Sequence, residues 1–420
     1  MRKILIVGAG QAGLQLALSL QAEGYDVTVM SARTPDEMRG GWPTSTQVMF
    51  DLALNLERRY KLNFWEDQAP HIPGVAPALV PEPGVRAIKF YGPWPPYAMS
   101  VDQRLKMSAW LETFENRGGR VIYHPVMTSD LAGLARLYDL TLIAAGKGEI
   151  VDLFDRDPVR SKYEAPGRML SAIYLSGVQD SPDFPEVAMR IHVEPGVTEL
   201  FVMPAVTMAG PCRIALVEAI PGGPFDAFRD RPSPTEHLRR LKALLAEHMP
   251  WEAELHDKSE PTDARASLSG SFTGTIRKPY ADMGDGAYVF GMGDVVVVND
   301  PIAGQGANNA AHCAGIYTQA ILDRGDKPFD PEWMQDTFET FWENRAQWST
   351  ALTDALLNPY PEHVQQVLGA AGQYQEVANR FCHLFADPSD IGPFLGDPEQ
   401  ALAFVARAAA RANGAGTGRA

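Results

Sequence analysis

Gly293-Asp294 and the following Pro301-Ile302-Ala303-Gly304-Gln305-Gly306-Ala307-Asn308 decide the fold of this chain. The apolar residues 287–292 predict a β-strand, so the aspartate is expected just past a strand end, where its carboxylate can accept hydrogen bonds from sugar-alcohol hydroxyls. The two later glycines let the backbone come close to a ligand, and residues 307–322 predict a helix whose N-terminal amides favour negative charge. The segment therefore predicts a site for an anionic ligand, although a glycine-rich turn before a core helix is the ordinary alternative.

A second glycine-rich turn lies at the N-terminus. Residues 3–7 predict a buried strand, Gly8-Ala9-Gly10-Gln11-Ala12-Gly13 follows it, and residues 14–22 continue with helical spacing. This strand, turn and helix give the dinucleotide-binding fingerprint the context that it requires. The ribose-binding acid expected after the second strand is missing, because Ser31 and Arg33 stand there. An NAD site is therefore disfavoured, whereas an Arg33 directed at a pyrophosphate is compatible with FAD.

Composition and charge limit the class of protein. A chain of 420 residues with 45% apolar content can bury a large core. A net charge of −15 argues against a nucleic acid or an anionic membrane as partner. The three cysteines, Cys212, Cys313 and Cys382, are far apart, so we expect buried small apolar residues rather than disulfides or a metal site. Because no run approaches ~20 apolar residues, we expect a soluble cytoplasmic protein.

The order of the elements predicts an α/β fold, with a Rossmann-like domain, an inserted antiparallel sheet and C-terminal helices. The predicted parts are residues 1–165 and 281–330 for the nucleotide domain, 166–280 for a mostly antiparallel substrate domain, 331–413 for the helices and 414–420 for a disordered tail. Within the first part, 42–100 is expected to contribute to the substrate pocket. Residues 44–60, 331–350 and 363–385 predict helices, and residues 85–90 predict a strand.

The chain resembles the styrene and indole monooxygenases, the FAD-dependent oxygenase components of two-component systems, over nearly its whole length. The matching motifs are Gly8-Ala9-Gly10-x-Ala12-Gly13-Leu14, Arg33-x-Pro35-Asp36-Glu37, Phe90-Tyr91-Gly92, Val101-Asp102-x-Arg104-Leu105, Gly146-Lys147, and Gly293-Asp294 through Asp300-Pro301-x-x-Gly304-Gln305-Gly306-Ala307-Asn308.

This resemblance implies an FAD-binding domain of the aromatic hydroxylase type. It also implies that a separate NADH-dependent reductase supplies reduced FAD (FADH2) by diffusion or transient contact, and it allows a homodimer. Oxygen (O2) then forms a flavin C4a-hydroperoxide that epoxidises the substrate, with no catalytic side chain beyond flavin positioning and no metal. The implied cofactor-binding residues are Gly8, Gly10, Gln11, Ala12, Gly13, Arg33, Asp294, Pro301, Gly304, Gln305, Gly306, Ala307 and Asn308.

A pocket fingerprint separates the branches of this family. The styrene type carries Asn-x-Val-x-His in the first pocket segment and the indole type Ser-x-Gln-x-Met, whereas this chain has Ser45-Thr46-Gln47-Val48-Met49. The resemblance therefore implies indole as substrate, with an acceptor for its N–H at Ser45 or Gln47, and styrene-like alkenes as further substrates. Generic packing of a helix and a loop is the alternative. The implied substrate-binding residues are Ser45, Gln47, Met49, Ile72, Val75, Ala98 and Ile302.

Two other classes remain open from the sequence. Single-component aromatic hydroxylases, which consume NAD(P)H themselves, carry Ala-Asp-Gly where this chain has Gly146-Lys147, and a second dinucleotide fingerprint is missing here. A non-catalytic binding protein on the same scaffold could dispense with flavin, which the intact segment from Asp294 to Asn308 argues against.

Overall fold

Residues 2–143 contain both strands and helices. The structure, a computed structural model, describes the backbone of residues 2–416 and the side chains of residues 2–413. The first elements are β1 (Lys3–Val7), α1 (Gln11–Ala22), β2 (Asp26–Ser31), α2 (Pro35–Arg39), α3 (Asp51–Arg59), β3 (Ile72–Leu79), β4 (Ile88–Lys89), β5 (Gly92–Ala98), α4 (Gln103–Asn116), β6 (Arg120–Tyr123), α5 (Thr128–Leu137) and β7 (Leu140–Ile143).

The remaining described residues first contribute further strands and two helices, and then a run of helices. The middle elements are β8 (Met169–Ser176), β9 (Met189–Glu194), β10 (Thr198–Thr207), β11 (Gly210–Ala219), α6 (Pro234–His248), α7 (Pro250–Leu255), β12 (Glu260–Pro261), β13 (Ser267–Gly270), β14 (Thr275–Ile276), β15 (Tyr280–Asp282), β16 (Tyr288–Gly291) and β17 (Val297–Val298). The helices that follow are α8 (Gly306–Arg324), α9 (Pro331–Phe341), α10 (Gln347–Leu357), α11 (Glu362–Ala371), α12 (Gln375–Ala386) and α13 (Pro398–Gly416).

A mostly parallel sheet brings the two glycine-rich segments together. Over residues 2–416 its strand order is β15-β16-β7-β1-β2-β6, and each pair except β15–β16 is parallel. Val7 lies beside Ile143, and Ile143 lies beside Gly291. The turns that follow β1, β7 and β16 therefore meet at the carboxyl edge of the sheet, which is where open α/β sheets bind ligands. The predicted α/β fold class is confirmed.

The second sheet also takes strands from the N-terminal region. Its order in the described chain is β12-β8-β11-β10-β9-β3-β4, with β13 beside β8 and β5 beside β3. The pairs are antiparallel apart from β3 and β9. The region predicted as a pocket segment, 42–100, thus supplies three strands of the sheet predicted at 166–280. Proline and glycine interrupt the alternation of β3 and β5, so the sequence pattern hides these strands.

Local structure departs from the predictions at several places. The helix predicted over 44–60 begins only at Asp51, because Met49 and Met99 exchange backbone hydrogen bonds of 2.7 and 2.9 Å. The strand predicted over 85–90 shrinks to β4, and a π-helical turn at Trp342–Ala346 separates α9 from α10. Gly372 ends α11 within the single helix predicted over 363–385. Helix α13 continues to Gly416, and the remainder of the predicted tail lies outside the described residues.

Packing divides along the two sheets. One apolar core surrounds the parallel sheet, a second lies between the second sheet and the C-terminal helices, and a third lies under α6 on the opposite face of the second sheet. Cys212, Cys313 and Cys382 are buried in the first two cores, as predicted. None of the helices described within 2–416 is long and apolar enough to span a bilayer.

Candidate functional site

Close packing requires glycine at three positions where the N-terminal glycine turn meets the segment that begins at Gly293. Gly8 has a positive φ of 118°, and a Cβ on it would lie 2.7 Å from the backbone carbon of Ala144. A Cβ on Gly13 would lie 2.1 Å from the carbonyl oxygen of Gly8, and one on Gly293 would lie 2.9 Å from Cβ of Ala12. Side chains at these positions would separate the first turn from β7 and from the second segment, so these glycines shape the site from within.

Other glycines of the same segments face open space. A Cβ on Gly10, Gly304 or Gly306 would meet no atom within 4 Å. Gly304 also has a positive φ of 65°, and Gly10 and Gly306 stand at the starts of α1 and α8. The backbone at two helix N-termini therefore borders unfilled space. This arrangement suits an anionic ligand that approaches the backbone closely.

Asp294 is the accessible residue of the otherwise buried stretch 291–297. A Cβ on Gly146 would lie 2.6 Å from Cβ of Asp294, so the glycine after β7 lets the aspartate approach. Surrounding protein atoms partly desolvate the Asp294 carboxyl group and raise its pKa to about 6, and the ammonium group of Lys147 opposes the rise. Because the carboxylate still contacts solvent, water offsets part of this rise until a ligand fills the space.

Arg33 and Ser31 differ in what they can offer a ligand. The Ser31 hydroxyl donates to the carbonyl oxygen of Arg33 at 2.6 Å and accepts from its backbone N–H at 3.3 Å. Ser31 therefore serves the turn after β2. The Arg33 side chain is exposed and makes no hydrogen bond or salt bridge with any described residue. Of the two residues that could replace the missing acid, Arg33 is the one free to contact a pyrophosphate.

The side chains of Gln11 and Gln305 bond inside the protein, so their predicted contact with a cofactor is left to their backbones. Gln11 Nε2 donates to Gln15 Oε1 at 2.8 Å and to Glu57 Oε1 at 3.0 Å. Gln305 Nε2 donates to the carbonyl oxygen of Phe385 at 2.7 Å. Gln11 is the first residue of α1 and Gln305 directly precedes α8, so their backbone amides belong to helix N-termini, which have no partners within the helix. Only their backbones are placed for a ligand.

Asn308 also turns away from the open space. Its Oδ1 accepts from the backbone N–H of Phe50 at 2.9 Å, and its Nδ2 donates to the carbonyl oxygens of Val48 and Gly304 at 2.8 and 2.9 Å. The residue predicted to contact a cofactor therefore connects the second glycine segment to the first pocket segment. The sequence gives no signal of this contact, because the partners lie far apart in the chain.

A buried ion pair lies beneath the N-terminus of α1. The Lys106 ammonium group contacts Glu57 Oε1, and both side chains are only 2% exposed. Lys106 also lies 4.7 Å from the ring centroid of Trp110, and Glu57 accepts from Gln11. The pair thus links α3 and α4 to the first glycine turn, a role that no local sequence pattern indicates.

Gln47 has one unsatisfied polar atom in the first pocket segment. Its Nε2 donates to the carbonyl oxygen of Val101, while its Oε1 is buried and has no donor among residues 2–413. The nearby Ser45 is partly exposed, and its carbonyl oxygen accepts from the Tyr174 hydroxyl at 3.2 Å. An unpaired buried acceptor is costly, so this oxygen is a candidate for a ligand N–H.

The apolar residues predicted for the pocket divide between two cores. Ile72, Val75, Ala98 and Ile302 share one apolar cluster, and Ile72 lies directly opposite Ala98. Their exposed fractions are 0 to 2%, so a substrate at the predicted site would have to displace side chains to enter among them. Met49 belongs instead to the core of the parallel sheet, because it pairs with Met99 on the other face of the strand. Met49 therefore lies in a different core from Ile72, and its predicted contact with the substrate stays a prediction.

The residues that alternate with Met49 lie in the core that contains Ile72. Val48 and Phe50 pack in the same cluster as Ile72, and Phe50 packs edge-on against Trp94 with ring centroids 4.9 Å apart. Successive side chains of an extended segment point to opposite faces. That rule identifies both residues once the segment is interpreted as extended rather than helical.

Comparisons with solved structures agree with this fold. Solved structures with the fold include the flavin-dependent brominase Bmp2 (TM-score 0.59, 14% identity, 92% of this chain and 90% of that one) and a flavoprotein/dehydrogenase from Cytophaga hutchinsonii (TM-score 0.65, 14% identity, 94% and 96%). A third is a single-residue variant of Klebsiella pneumoniae HpxO complexed with FAD (TM-score 0.57, 12% identity, 92% and 95%). At these identities the likeness shows the fold alone.

Sequence comparisons identify proteins that are similar to this chain. Residues 146–254 match the family described as "Styrene monooxygenase A putative substrate binding domain". The chain is 28% identical over 408 residues to styrene monooxygenase StyA of Pseudomonas fluorescens, covering 95% of this chain and 96% of the relative, and equally so to StyA of a Pseudomonas species. This similarity supports the predicted styrene monooxygenase family and the predicted class of enzyme, a flavoprotein monooxygenase. The indole branch stays a prediction.

Proposed function

We propose that this protein takes reduced FAD from a separate NADH:FAD reductase and uses O2 to epoxidise indole. The observation that supports indole as the substrate is the buried Oε1 of Gln47, which has no hydrogen-bond donor among the described residues. Indole offers an N–H at the edge of an apolar ring system, and its C2–C3 bond is an electron-rich alkene. The expected product is an indole epoxide that opens to 3-hydroxyindole and autoxidises to indigo.

The residues of the two glycine segments fit FAD. The open faces of Gly10, Gly304 and Gly306 leave room for a close approach of a diphosphate and a flavin ring to the backbone. Asp294 would accept hydrogen bonds from the ribityl hydroxyls, and Arg33 would contact the diphosphate. Pro301 and Ala307, which flank the open glycines, would contribute backbone contacts. Reduced FAD, when bound, supplies the electrons and the site at which oxygen is activated.

The Gln47 side chain would select for the N–H of the substrate. Its Nε2 is committed to the carbonyl oxygen of Val101, so its Oε1 faces inward as an acceptor. Indole would satisfy this acceptor, while styrene would leave it unpaired at a cost of ~1–3 kcal/mol. Styrene-like alkenes therefore remain substrates in this proposal, but weaker ones. Ser45, which is partly exposed in the same segment, would be a second acceptor for the substrate N–H.

The apolar cluster would hold the ring and exclude water. Ile72, Val75, Ala98 and Ile302 are buried together, and the ring would take space now filled by their side chains. Excluding water matters, because water promotes loss of activated oxygen as hydrogen peroxide. The protein would act mainly by holding substrate and cofactor in contact, so the proposal assigns no side chain as acid, base or nucleophile.

A reductase-dependence assay tests the proposal. The purified protein receives NADH, FAD, oxygen and indole, with or without an unrelated NADH:FAD reductase, and indigo and NADH are followed by absorbance. We expect indigo only when the reductase is present, and also when photoreduced FAD replaces both NADH and reductase. NADH consumption without reductase would instead establish a single-component hydroxylase. Failure to bind reduced FAD in an anaerobic titration would establish a non-catalytic protein on this scaffold.

A further inference from the structure

Two buried carboxyl groups lie beneath the turn that leads into Gly304. Glu218 on β11 is 0% exposed and Asp300 is 5% exposed. The two carboxyl groups are within hydrogen-bonding reach of each other. Neither oxygen of Glu218 meets a hydrogen-bond donor among the described side chains and backbone groups. A carboxylate buried without donors is strongly disfavoured, so this contact requires a proton between the two acids.

The partners of Asp300 show which acid keeps the proton. Asp300 Oδ1 accepts from the backbone N–H of Ile302 at 3.2 Å and so caps the short 3-10 turn Pro301–Ala303. That turn ends at Gly304, whose positive φ directs the chain into α8. Asp300 thus has a donor that favours its ionised form, and Glu218 has none. The proton belongs on Glu218, which then donates to Asp300.

The surrounding charges do not remove the need for this proton. Glu199 lies opposite Glu218 in the sheet and binds the Arg168 guanidinium through two hydrogen bonds of 2.7 and 2.9 Å. Arg168 is therefore already neutralised, and three carboxyl groups face one cation. Burial raises the pKa of Glu218 well above its ordinary range, and the charge of Asp300 adds to this rise. The tyrosines near these acids, Tyr163 and Tyr360, have pKa values raised to about 12 and stay neutral.

We propose that Glu218 is a positioning residue whose protonated carboxyl group holds Asp300, and through Asp300 the turn that presents Gly304 to the cofactor. The link to the cofactor rests on the proposed function, whereas the proton itself does not. The second sheet would in this way fix the backbone of the cofactor domain through a single hydrogen bond.

Two substitutions of similar size separate the parts of this proposal. Glu218→Gln keeps a donor, because its amide N–H can bond Asp300 without titrating. Glu218→Met fills similar space but offers no donor. We expect Glu218→Gln to bind reduced FAD within about threefold of the unmodified protein, and Glu218→Met to bind about tenfold more weakly, the effect of one lost hydrogen bond.

Measurements without flavin test the proton. Infrared difference spectra between the unmodified protein and Glu218→Gln at neutral pH should contain the carbonyl band of a protonated carboxylic acid. In urea unfolding, the unmodified protein should lose stability relative to Glu218→Gln as pH rises from about 5 to about 8. The sign follows because the folded state keeps a proton that the unfolded state releases above the ordinary glutamate pKa.

The outcomes distinguish this inference from the proposed function. Absence of the acid band, together with parallel pH profiles for the two proteins, would overturn the shared proton. Equal reduced-FAD affinity of the unmodified protein and Glu218→Met would overturn the positioning role. If the unmodified protein fails to bind reduced FAD while the band and the pH difference are present, the proposed function fails and the carboxyl pair stands. Should Glu218→Met not fold, the infrared and pH comparison with Glu218→Gln still decides the question of the proton.

Discussion

The side-chain amide of Asn308 on α8 accepts a 2.9 Å hydrogen bond from the backbone N–H of Phe50. Replacing Asn308 by Leu removes this bond and the two that Asn308 donates, so buried backbone groups of the first pocket segment lose their partner. At ~1–3 kcal/mol for each group left unpaired, we expect the free energy of unfolding to fall by about 3 kcal/mol. Because Gly304 is one of the partners, reduced-FAD affinity should also fall about tenfold.

The neighbouring Asn309 provides the matched control. It is buried on the same helix, but its Nδ2 bonds the Ser349 hydroxyl at 2.7 Å, away from the pocket segment. Asn309→Leu should therefore lower stability without weakening reduced-FAD binding. Urea unfolding and anaerobic fluorescence titration check both variants. Equal affinities of the two Leu variants would contradict the link between pocket and cofactor segments.

Gly10 offers a test of the cofactor site that leaves the folded protein intact. A Cβ at Gly10 meets nothing within 4 Å and its φ is not positive, and the same holds for Gly133 on α5. Gly10→Leu and Gly133→Leu should both keep a melting temperature close to that of the unmodified protein. Only Gly10→Leu should lose reduced-FAD binding, by a factor of about 100 or more, because its side chain occupies ligand space. Normal flavin affinity in Gly10→Leu would place the cofactor elsewhere.

The substrate assignment predicts a preference that depends on one N–H group. The unmodified protein should turn over indole with a kcat/KM about tenfold above that for 1-methylindole, which lacks the donor for Gln47. In Gln47→Leu this ratio should approach one. A general loss of activity caused by the missing hydrogen bond to Val101 affects both substrates equally, so it cancels in the ratio. Initial rates with a reductase in excess give the ratio, and an unchanged ratio in Gln47→Leu would exclude Gln47 as the acceptor.

The raised pKa of Asp294 predicts opposite effects of pH on reduced-FAD affinity and on the free energy of unfolding. Its pKa is raised to about 6, and the ionised form is the better hydrogen-bond acceptor. Reduced-FAD affinity should therefore fall as pH falls through about 6, and Asp294→Asn should show a flatter profile. In the absence of flavin, the unmodified protein should instead lose stability relative to Asp294→Asn as pH rises from about 4 to about 7, because the folded state releases its proton later. Parallel profiles in both measurements would remove Asp294 from the site.

The buried pair of Lys106 and Glu57 predicts a large loss of stability. Lys106→Met leaves the Glu57 carboxylate buried without its cation, so the free energy of unfolding should fall by about 3–5 kcal/mol. The double variant Lys106→Met/Glu57→Gln has no buried charge and should recover most of this loss. Chemical unfolding measures both, and a double variant no more stable than the single one would show that packing dominates.

Local sequence predicts the parts of the fold that local chemistry determines. The glycine turn after β1 and the segment after β16 each sit between a strand and a helix, so their patterns are complete within short stretches of chain. The Asp102 cap of α4 is equally visible in the sequence, and its Oδ1 accepts from the Arg104 backbone N–H at 2.8 Å. The cofactor side of the site therefore follows from short-range rules.

The substrate side depends on pairings between distant residues. Nothing within residues 44–50 indicates that Met49 pairs with Met99, and this pairing decides which side chains face which core. The parallel pairing of β3 with β9 likewise joins residues that lie far apart in the chain. Successive side chains of an extended segment face opposite sides, so Val48 and Phe50 pack with Ile72 whereas Met49, which the family resemblance groups with Ile72, does not.

The direct pairing of Ile72 with Ala98 has a kinetic consequence for the proposed substrate site. An aromatic substrate at that site would have to part these buried side chains, so its entry would be a gated event whose rate is independent of how well the ring later fits. If that parting is slow, the enzyme would bind bulky and slim aromatics at similar rates, and its discrimination would appear in how quickly each one escapes.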